Sequence, residues 1–237
     1  MRDQLSMVDI LAFGPHPDDI EIGAGGVLAD AAARGLRVGL VDLTRGEMGT
    51  NGTPETRLAE GELAAQELGA SWRHNLGLGD RALSTGVKER SAVVAVLRAT
   101  RPRLVLIPYG EGDRHPDHRS GAQLLREALF DSGLTRFAPE TGAPYRLTQV
   151  LHYIINARVV PQIILPIAGY HRKEAALGAH RSQFGPGLPT ELNGGYLRQI
   201  AARDIYFGRM VGADYGEGFI MDGPVRIGGL GSWIDGL

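Results

Sequence analysis

The chain has 237 residues, no cysteine and a formal net charge of −2, with 43% hydrophobic and 22% charged residues. These values are typical of one globular domain, and they exclude disulfides, thiolate nucleophiles and cysteine-ligated metals. The net charge argues against nucleic-acid binding. No apolar run reaches the roughly 18 to 20 residues of a membrane span, and no signal peptide is visible. We therefore predict a cytoplasmic protein without membrane contact.

The first half of the chain alternates between apolar strands and amphipathic helices. The predicted strands are 8–14 ("VDILAFG"), 37–44, 71–78 and 103–110. The predicted helices are 26–36, 55–69, 88–102 and 119–133. Such a βαβα order predicts a mostly parallel sheet that is flanked by helices.

After residue 140 the pattern is looser. Strands are predicted at 147–158 and 161–167, and helices at 170–184 and 194–212. No linker or repeat divides the sequence. We therefore predict a single α/β domain over residues 1–237, with 1–7 as a short extension and 220–237 as a Gly-rich tail.

Histidine and aspartate residues follow two of the predicted strands. His16, Asp18 and Asp19 stand in "FGPHPDDIEIG" after the first strand, and "GEGDRHPDHRS" follows the strand 103–110. Because ligands of an open parallel sheet bind beyond the carboxyl ends of its strands, both loops are expected at one edge. The sequence therefore predicts one shared site.

A metal explains this pairing. Without cysteine, a divalent ion needs His and carboxylate ligands, and His16, Asp19 and His118 supply three of them. Asp18 then stands free to act as general base on a water bound to the metal. Alternatively, Asp18 or Asp19 only caps the following helix, and His115 and His118 are ordinary surface residues.

The two motifs resemble those of the LmbE-like (PIG-L type) zinc deacetylases: "HPDD" after the first strand, and "HPDH" about a hundred residues later. The segments "DLTRGEMGTNGTPETRLAE", "NLGLGDRAL", "PYGEGDRHPDH" and "EAALGAHRSQF" are similar to the branch of this family that deacetylates N-acetylglucosaminyl-malate in bacillithiol biosynthesis. The similarity runs from about Val8 to Phe219.

This resemblance implies a partly Rossmann-like fold and hydrolysis of the N-acetyl group of a glucosamine derivative. It implies Zn²⁺, with Fe²⁺ as an alternative in the cell, held by His16, Asp19 and His118. Asp18 matches the general base, His115 the residue that stabilises the oxyanion, and Asp117 the carboxylate that orients His115 and keeps it cationic. The resemblance also implies a homo-oligomer, for which a hexamer is the candidate form.

Substrate contacts are predicted from the same resemblance. A malyl group carries two carboxylates, so the pocket should offer fixed cations, for which Arg57 and Arg114 are the candidates. Tyr196 matches a pocket residue of the family. Other N-acetylglucosaminyl conjugates, N-acetylglucosamine and chito-oligosaccharides remain alternative substrates.

Two functions of other classes stay open at this stage. A two-His-one-carboxylate site also fits non-haem iron oxygenases, although those usually have a jelly-roll fold. The stretch "IGAGG" after the first strand superficially resembles a dinucleotide-binding loop, but the neighbouring Asp18, Asp19 and Glu21 would repel a pyrophosphate.

Overall fold

A computed structural model describes residues 5–147, 149–188 and 194–223, which form seven strands and seven α-helices. The strands are β1 Ile10–Gly14, β2 Val38–Thr44, β3 Trp72–Leu78, β4 Leu104–Pro108, β5 Val150–Tyr153, β6 Ile163–Ile167 and β7 Tyr215–Ile220. The helices are α1 Asp19–Ala33, α2 Pro54–Leu68, α3 Val87–Thr100, α4 Pro116–Asp131, α5 Tyr170–Ala179, α6 Arg181–Phe184 and α7 Gly194–Met210. None of the described helices has both the length and the apolar character to cross a membrane.

All seven strands belong to one sheet, in the order β3-β2-β1-β4-β5-β7-β6. The five strands from β3 to β5 run parallel, whereas β7 is antiparallel to both β5 and β6. The predicted single α/β domain with a mostly parallel sheet between helices is confirmed. This order makes β1 and β4 neighbours, although a hundred residues separate the loops that follow them.

The sheet is buried on both faces. Along β1 the side chains alternate, so that Ala12 joins one apolar cluster while Leu11 and Phe13 join the other. The first cluster includes residues of α1, α2, α5 and α7, and the second includes residues of α3 and α4. Burial on both faces explains why the central strands have continuous apolar sequences instead of alternating ones.

Helix α1 begins at Asp19, seven residues before the predicted start at Gly26. The glycines of "IGAGG" lie inside this helix because neighbours approach its backbone closely. A Cβ atom on Gly23 would lie 2.2 Å from the Tyr153 ring, and one on Gly26 would lie 2.5 Å from Ile167. The glycines therefore allow the helix to pack on the sheet, and they form no strand-to-helix phosphate loop.

The predicted ends of the domain need correction. Residue 220, assigned to the tail, is the last residue of β7, a strand that the Gly-rich sequence "YGEGFI" concealed. Residues 224–237 of the predicted tail, and residues 1–4 of the extension, lie outside the described part. Within the extension, the Ser6 carbonyl accepts a hydrogen bond from Trp72 Nε1 at 3.3 Å, so this segment contacts the domain.

Candidate active site

The loops after β1 and β4 meet at the carboxyl edge of the sheet, as predicted. The first carries His16, and the second leads into α4, whose first turn contains His118. The two imidazole rings lie 5.6 Å apart between centroids. Both side chains are less than 10% exposed.

Asp19 lies between these two histidines. One of its oxygens, Oδ2, is 3.0 Å from His16 Nδ1, and the other, Oδ1, is 3.2 Å from His118 Nε2. The three residues predicted as metal ligands are thus in mutual contact. They come from three places, namely the loop after β1, the first turn of α1 and the first turn of α4.

The second nitrogen of each histidine faces another buried carboxylate. His16 Nε2 lies 3.3 Å from Asp80 Oδ1 and 3.4 Å from Asp117 Oδ2. His118 Nδ1 lies 3.1 Å from Asp113 Oδ2. Histidines that bind metals usually direct their free nitrogen to a carboxylate or carbonyl, which fixes the ring orientation.

This donor set fits a divalent metal ion. Two imidazoles and a carboxylate, each imidazole backed by an acid, are the ligand types of catalytic zinc sites. The His115 ring lies beside this set, since ligand nitrogens of His16, His115 and His118 all lie within 4.8 Å of one another. The sequence did not predict a role for Asp80 or Asp113. Asp113 nevertheless lies two residues before "HPDH", in the segment "GEGDRHPDHRS".

Asp18 occupies the residue before α1 but does not cap it. Its side chain makes no capping hydrogen bond, and its backbone adopts φ 126°, a conformation that residues other than glycine rarely take. Strain of this kind persists only where the surrounding structure enforces it, and it concentrates at functional sites. Burial raises the pKa of Asp18 to about 6, against the opposing effect of Arg57.

Arg57 does not stand free to bind a substrate carboxylate. The side chain is buried, and its Nη2 donates to the Pro17 carbonyl at 2.8 Å and to Asp18 Oδ2 at 3.2 Å, while Nη1 donates to the Gly46 carbonyl at 3.2 Å. Both terminal nitrogens of the guanidinium fork are therefore used inside the protein. The structure favours Arg57 as the residue that positions Asp18 and the loop after β1.

The relation between His115 and Asp117 also differs from the expected one. The backbone N–H of Asp117 donates to His115 Nδ1 at 3.2 Å, whereas the Asp117 carboxylate faces His16 and accepts hydrogen bonds from Arg81. Burial and the nearby His118 and His16 lower the pKa of His115. A ring that accepts at Nδ1 carries its proton on Nε2, so His115 can donate from Nε2, whereas the Asp117 carboxylate is directed to His16 and Arg81 and not to His115.

A cavity of about 410 Å³ is lined by residues of this site, namely His16, Asp18, Asp19, His115 and His118. Around its wall are the two remaining predicted substrate contacts: Arg114, which is exposed, and Tyr196, which is 9% exposed. The loop after β2 also lines the cavity, with Met48, Gly49 and Thr50. Arg114 is thus an exposed cation at the wall of the cavity, the position that was predicted for both Arg57 and Arg114.

The sequence places the chain in a known family. The sequence model of the PIG-L family, described as GlcNAc-PI de-N-acetylase, matches residues 11–129, which include both histidine motifs. The chain belongs to this family. The fold and the family together argue against the dinucleotide-binding and iron-oxygenase alternatives.

Three relatives illustrate the range of similarity. The diacetylchitobiose deacetylase of Thermococcus kodakarensis is 34% identical over 223 residues, which cover 88% of this chain and 81% of the relative. A probable N-acetyl-alpha-D-glucosaminyl L-malate deacetylase 2 of Bacillus cereus is 26% identical, over 73% of this chain and 83% of the relative. The crystal structure of the conserved protein TT1542 from Thermus thermophilus matches with a TM-score of 0.86 and 40% identity, over 93% of this chain and 97% of that one.

The contacts of His118 predict its effect on metal binding. His118→Ala should abolish tight metal binding, because it removes one of the three predicted ligands. Asp113→Asn should weaken metal affinity by about 10- to 100-fold, since it leaves the ligands intact but loosens the orientation of one. Metal content and affinity can be measured by mass spectrometry and chelator competition, with the exposed His171→Ala as the matched control. A His118→Ala protein that retains full metal would contradict the assignment.

The contacts of Arg57 predict a loss that does not depend on the substrate. Arg57→Ala should lower deacetylation by about 10- to 100-fold on every substrate, because Asp18 loses its partner, while the metal content stays near the wild-type level. Arg57→Lys should recover only part of this activity, since one ammonium cannot replace the fork. A loss confined to substrates that carry a carboxylate would restore the original prediction for Arg57.

Proposed function

We propose that this protein is a metal-dependent deacetylase that hydrolyses the N-acetyl group of an N-acetylglucosamine derivative, releasing acetate and the free amine. The observation that carries the proposal is the placement of Asp19 between His16 and His118, with the buried Asp18 beside it. Membership of the de-N-acetylase family and similarity to two sugar deacetylases support it. Zn²⁺ is the proposed metal, with Fe²⁺ as the alternative that the same donors accept.

A metal held by His16, Asp19 and His118 would supply Lewis acidity and lower the pKa of a nearby water. The chain itself supplies the proton transfers. Asp18, whose pKa of about 6 leaves it largely ionised at neutral pH, accepts a proton from the attacking water. Arg57 holds that carboxylate in place through the bond to Oδ2.

His115 acts on the other side of the reaction. Its Nε2–H is available because Nδ1 accepts from the Asp117 backbone. As the C–O bond forms, the Nε2–H group can donate a hydrogen bond to the developing oxyanion. When the C–N bond breaks, the leaving amine needs one proton. Both His115 and the protonated Asp18 line the cavity in which the amine is released.

For the substrate we propose N-acetylglucosaminyl-malate. Arg114 supports this choice, because it is an exposed cation at the rim of the cavity, where it can bind a carboxylate beyond the sugar ring. The motif segments that resemble the malate-deacetylating branch support it as well. Diacetylchitobiose is the second candidate, favoured by the 34% identity to the Thermococcus kodakarensis enzyme.

The Asp18→Asn variant tests whether Asp18 acts as the general base or as a metal ligand. The amide keeps the shape of the side chain but cannot take a proton, so kcat should fall by about 10² to 10⁴-fold while metal content stays near the wild-type level. Acetate release and metal analysis on the same preparation check this. Parallel loss of metal and rate would instead make Asp18 a ligand.

A direct comparison of substrates tests the proposed specificity. The zinc-loaded protein should show a higher kcat/KM for N-acetylglucosaminyl-malate than for diacetylchitobiose or N-acetylglucosamine. Arg114→Ala should lower kcat/KM for the malyl substrate by about 10- to 150-fold, as expected for a lost charge-assisted bond, and leave the neutral sugars nearly unchanged. A preference for diacetylchitobiose that persists in this variant would favour the second candidate.

A further inference from the structure

A second cavity, of about 600 Å³, lies directly beside the first one. The two share four lining residues: Arg114, Ile155, Asn156 and Tyr196. Part of the wall between them is a hydrogen bond of 2.8 Å, in which the Tyr196 hydroxyl donates to Asn156 Oδ1. A ligand in the first cavity that is longer than one sugar ring would therefore extend along this wall.

The charges of the two cavities differ. Three aspartates line the first cavity, whereas no acidic residue lines the second within the described ranges, and three arginines do: Arg114, Arg158 and Arg203. Arg203 is neutralised by Asp204 at 3.0 Å and bonds to the carbonyls of Ile154 and Ile155. The cavity therefore has an excess of positive charge.

Arg114 and Arg158 provide that excess. Both are exposed, and neither has an ion pair in the part of the chain that the structure describes. They line the same cavity, together with the amides of Asn156 and Gln199. Cations and amide donors around one space are suited to carboxylate groups.

Apolar side chains form part of the lining of the second cavity. One face of α7 contributes Tyr196, Ile200 and Phe207, at helical spacing, and the segment after β5 contributes Ile154 and Ile155. The wall is also tied to the metal site, because the Asn156 backbone donates to Asp113 Oδ2 at 3.1 Å, and this oxygen faces His118. The second cavity thus has a fixed position relative to the site of hydrolysis.

We propose that the second cavity binds the anionic aglycone of the substrate, and that Arg158 determines specificity for a carboxylate at this end. This inference rests on the proposed deacetylase function and extends it, since nothing in the sequence pattern pointed to Arg158. The sugar ring lies in the first cavity, its aglycone passes Tyr196 and Asn156, and Arg114 and Arg158 bind the carboxylates from two sides.

The test compares two substrates that differ only in the aglycone, N-acetylglucosaminyl-malate and methyl N-acetylglucosaminide, on the zinc-loaded full-length protein. Arg158→Gln should lower kcat/KM for the malyl substrate by about 5- to 30-fold, mainly through KM, because the site is open to solvent and the lost bond is partly screened. The methyl glycoside should change little. Arg158→Lys should lie between Arg158→Gln and wild type.

Arg136→Gln is the matched control, because Arg136 is also exposed but lines neither cavity. Calorimetry with the product glucosaminyl-malate adds a readout without turnover, and Arg158→Gln should weaken this binding by a similar factor. Equal effects on both substrates, or no difference from the Arg136 control, would overturn the inference while the deacetylase function stands. A wild-type protein that deacetylates neither of these substrates nor diacetylchitobiose would overturn the proposed function itself.

Discussion

Asp19 contacts two imidazoles that are a hundred residues apart in the sequence, and the rest of the site depends on this contact. It requires β1 and β4 to be neighbours, because His16 follows one strand and His118 the other. The chain places β2 and β3 on one side of β1, and β4 and β5 on the other. The loops after β1 and β4 therefore open at the point where the strand order changes direction, the usual ligand site of such sheets.

The adjacent carboxylates of Asp18 and Asp19 have different pKa values at this edge of the sheet. Asp18 and Asp19 are both buried, and burial alone would raise the pKa of each. For Asp19 this effect is outweighed by His118 and His16, which hold its pKa well below the usual range. Asp18 has weaker compensation from Arg57, and its pKa rises to about 6. The proposed roles of Asp19 as metal ligand and Asp18 as general base require such a separation between the pKa values of two neighbouring acids.

The sequence predicted the sheet, most helices and the meeting of the two motifs, because apolar runs and strand order are local or topological properties. It could not predict contacts that depend on side-chain direction. Arg57 was expected at the substrate but lies against Asp18, and Asp117 was expected at His115 but faces His16. Sequence spacing places these residues in one region, and only the packing decides which partner each one meets.

Elements with weak sequence patterns were predicted least well. Strand β7 was missed because glycines interrupt its apolar pattern, yet its Glu217 is almost fully buried. Glu217 accepts hydrogen bonds from the backbone N–H groups of Gly26 and Val27 inside α1, and it pairs with the fully buried Lys173 at 2.6 Å. Lys173 also donates to the Ile22 carbonyl. The last third of the chain therefore holds the helix on which Asp19 stands.

Most residues that line the second cavity lie beyond the part of the chain that matches the family model, whereas Arg114 and the residues of the proposed hydrolytic centre lie within it. His16, Asp18, Asp19 and His118 all lie within residues 11–129, the part that matches the family model. Asn156, Arg158 and Tyr196, which form the wall and the far side of the second cavity, all lie beyond it. Members of one family can keep a fixed hydrolytic centre on the parallel strands while the later segments change, because those segments contact the substrate away from the reacting bond. In this chain, that region places Arg158 at the wall of the second cavity, and this exposed cation is the physical basis for proposing an anionic aglycone.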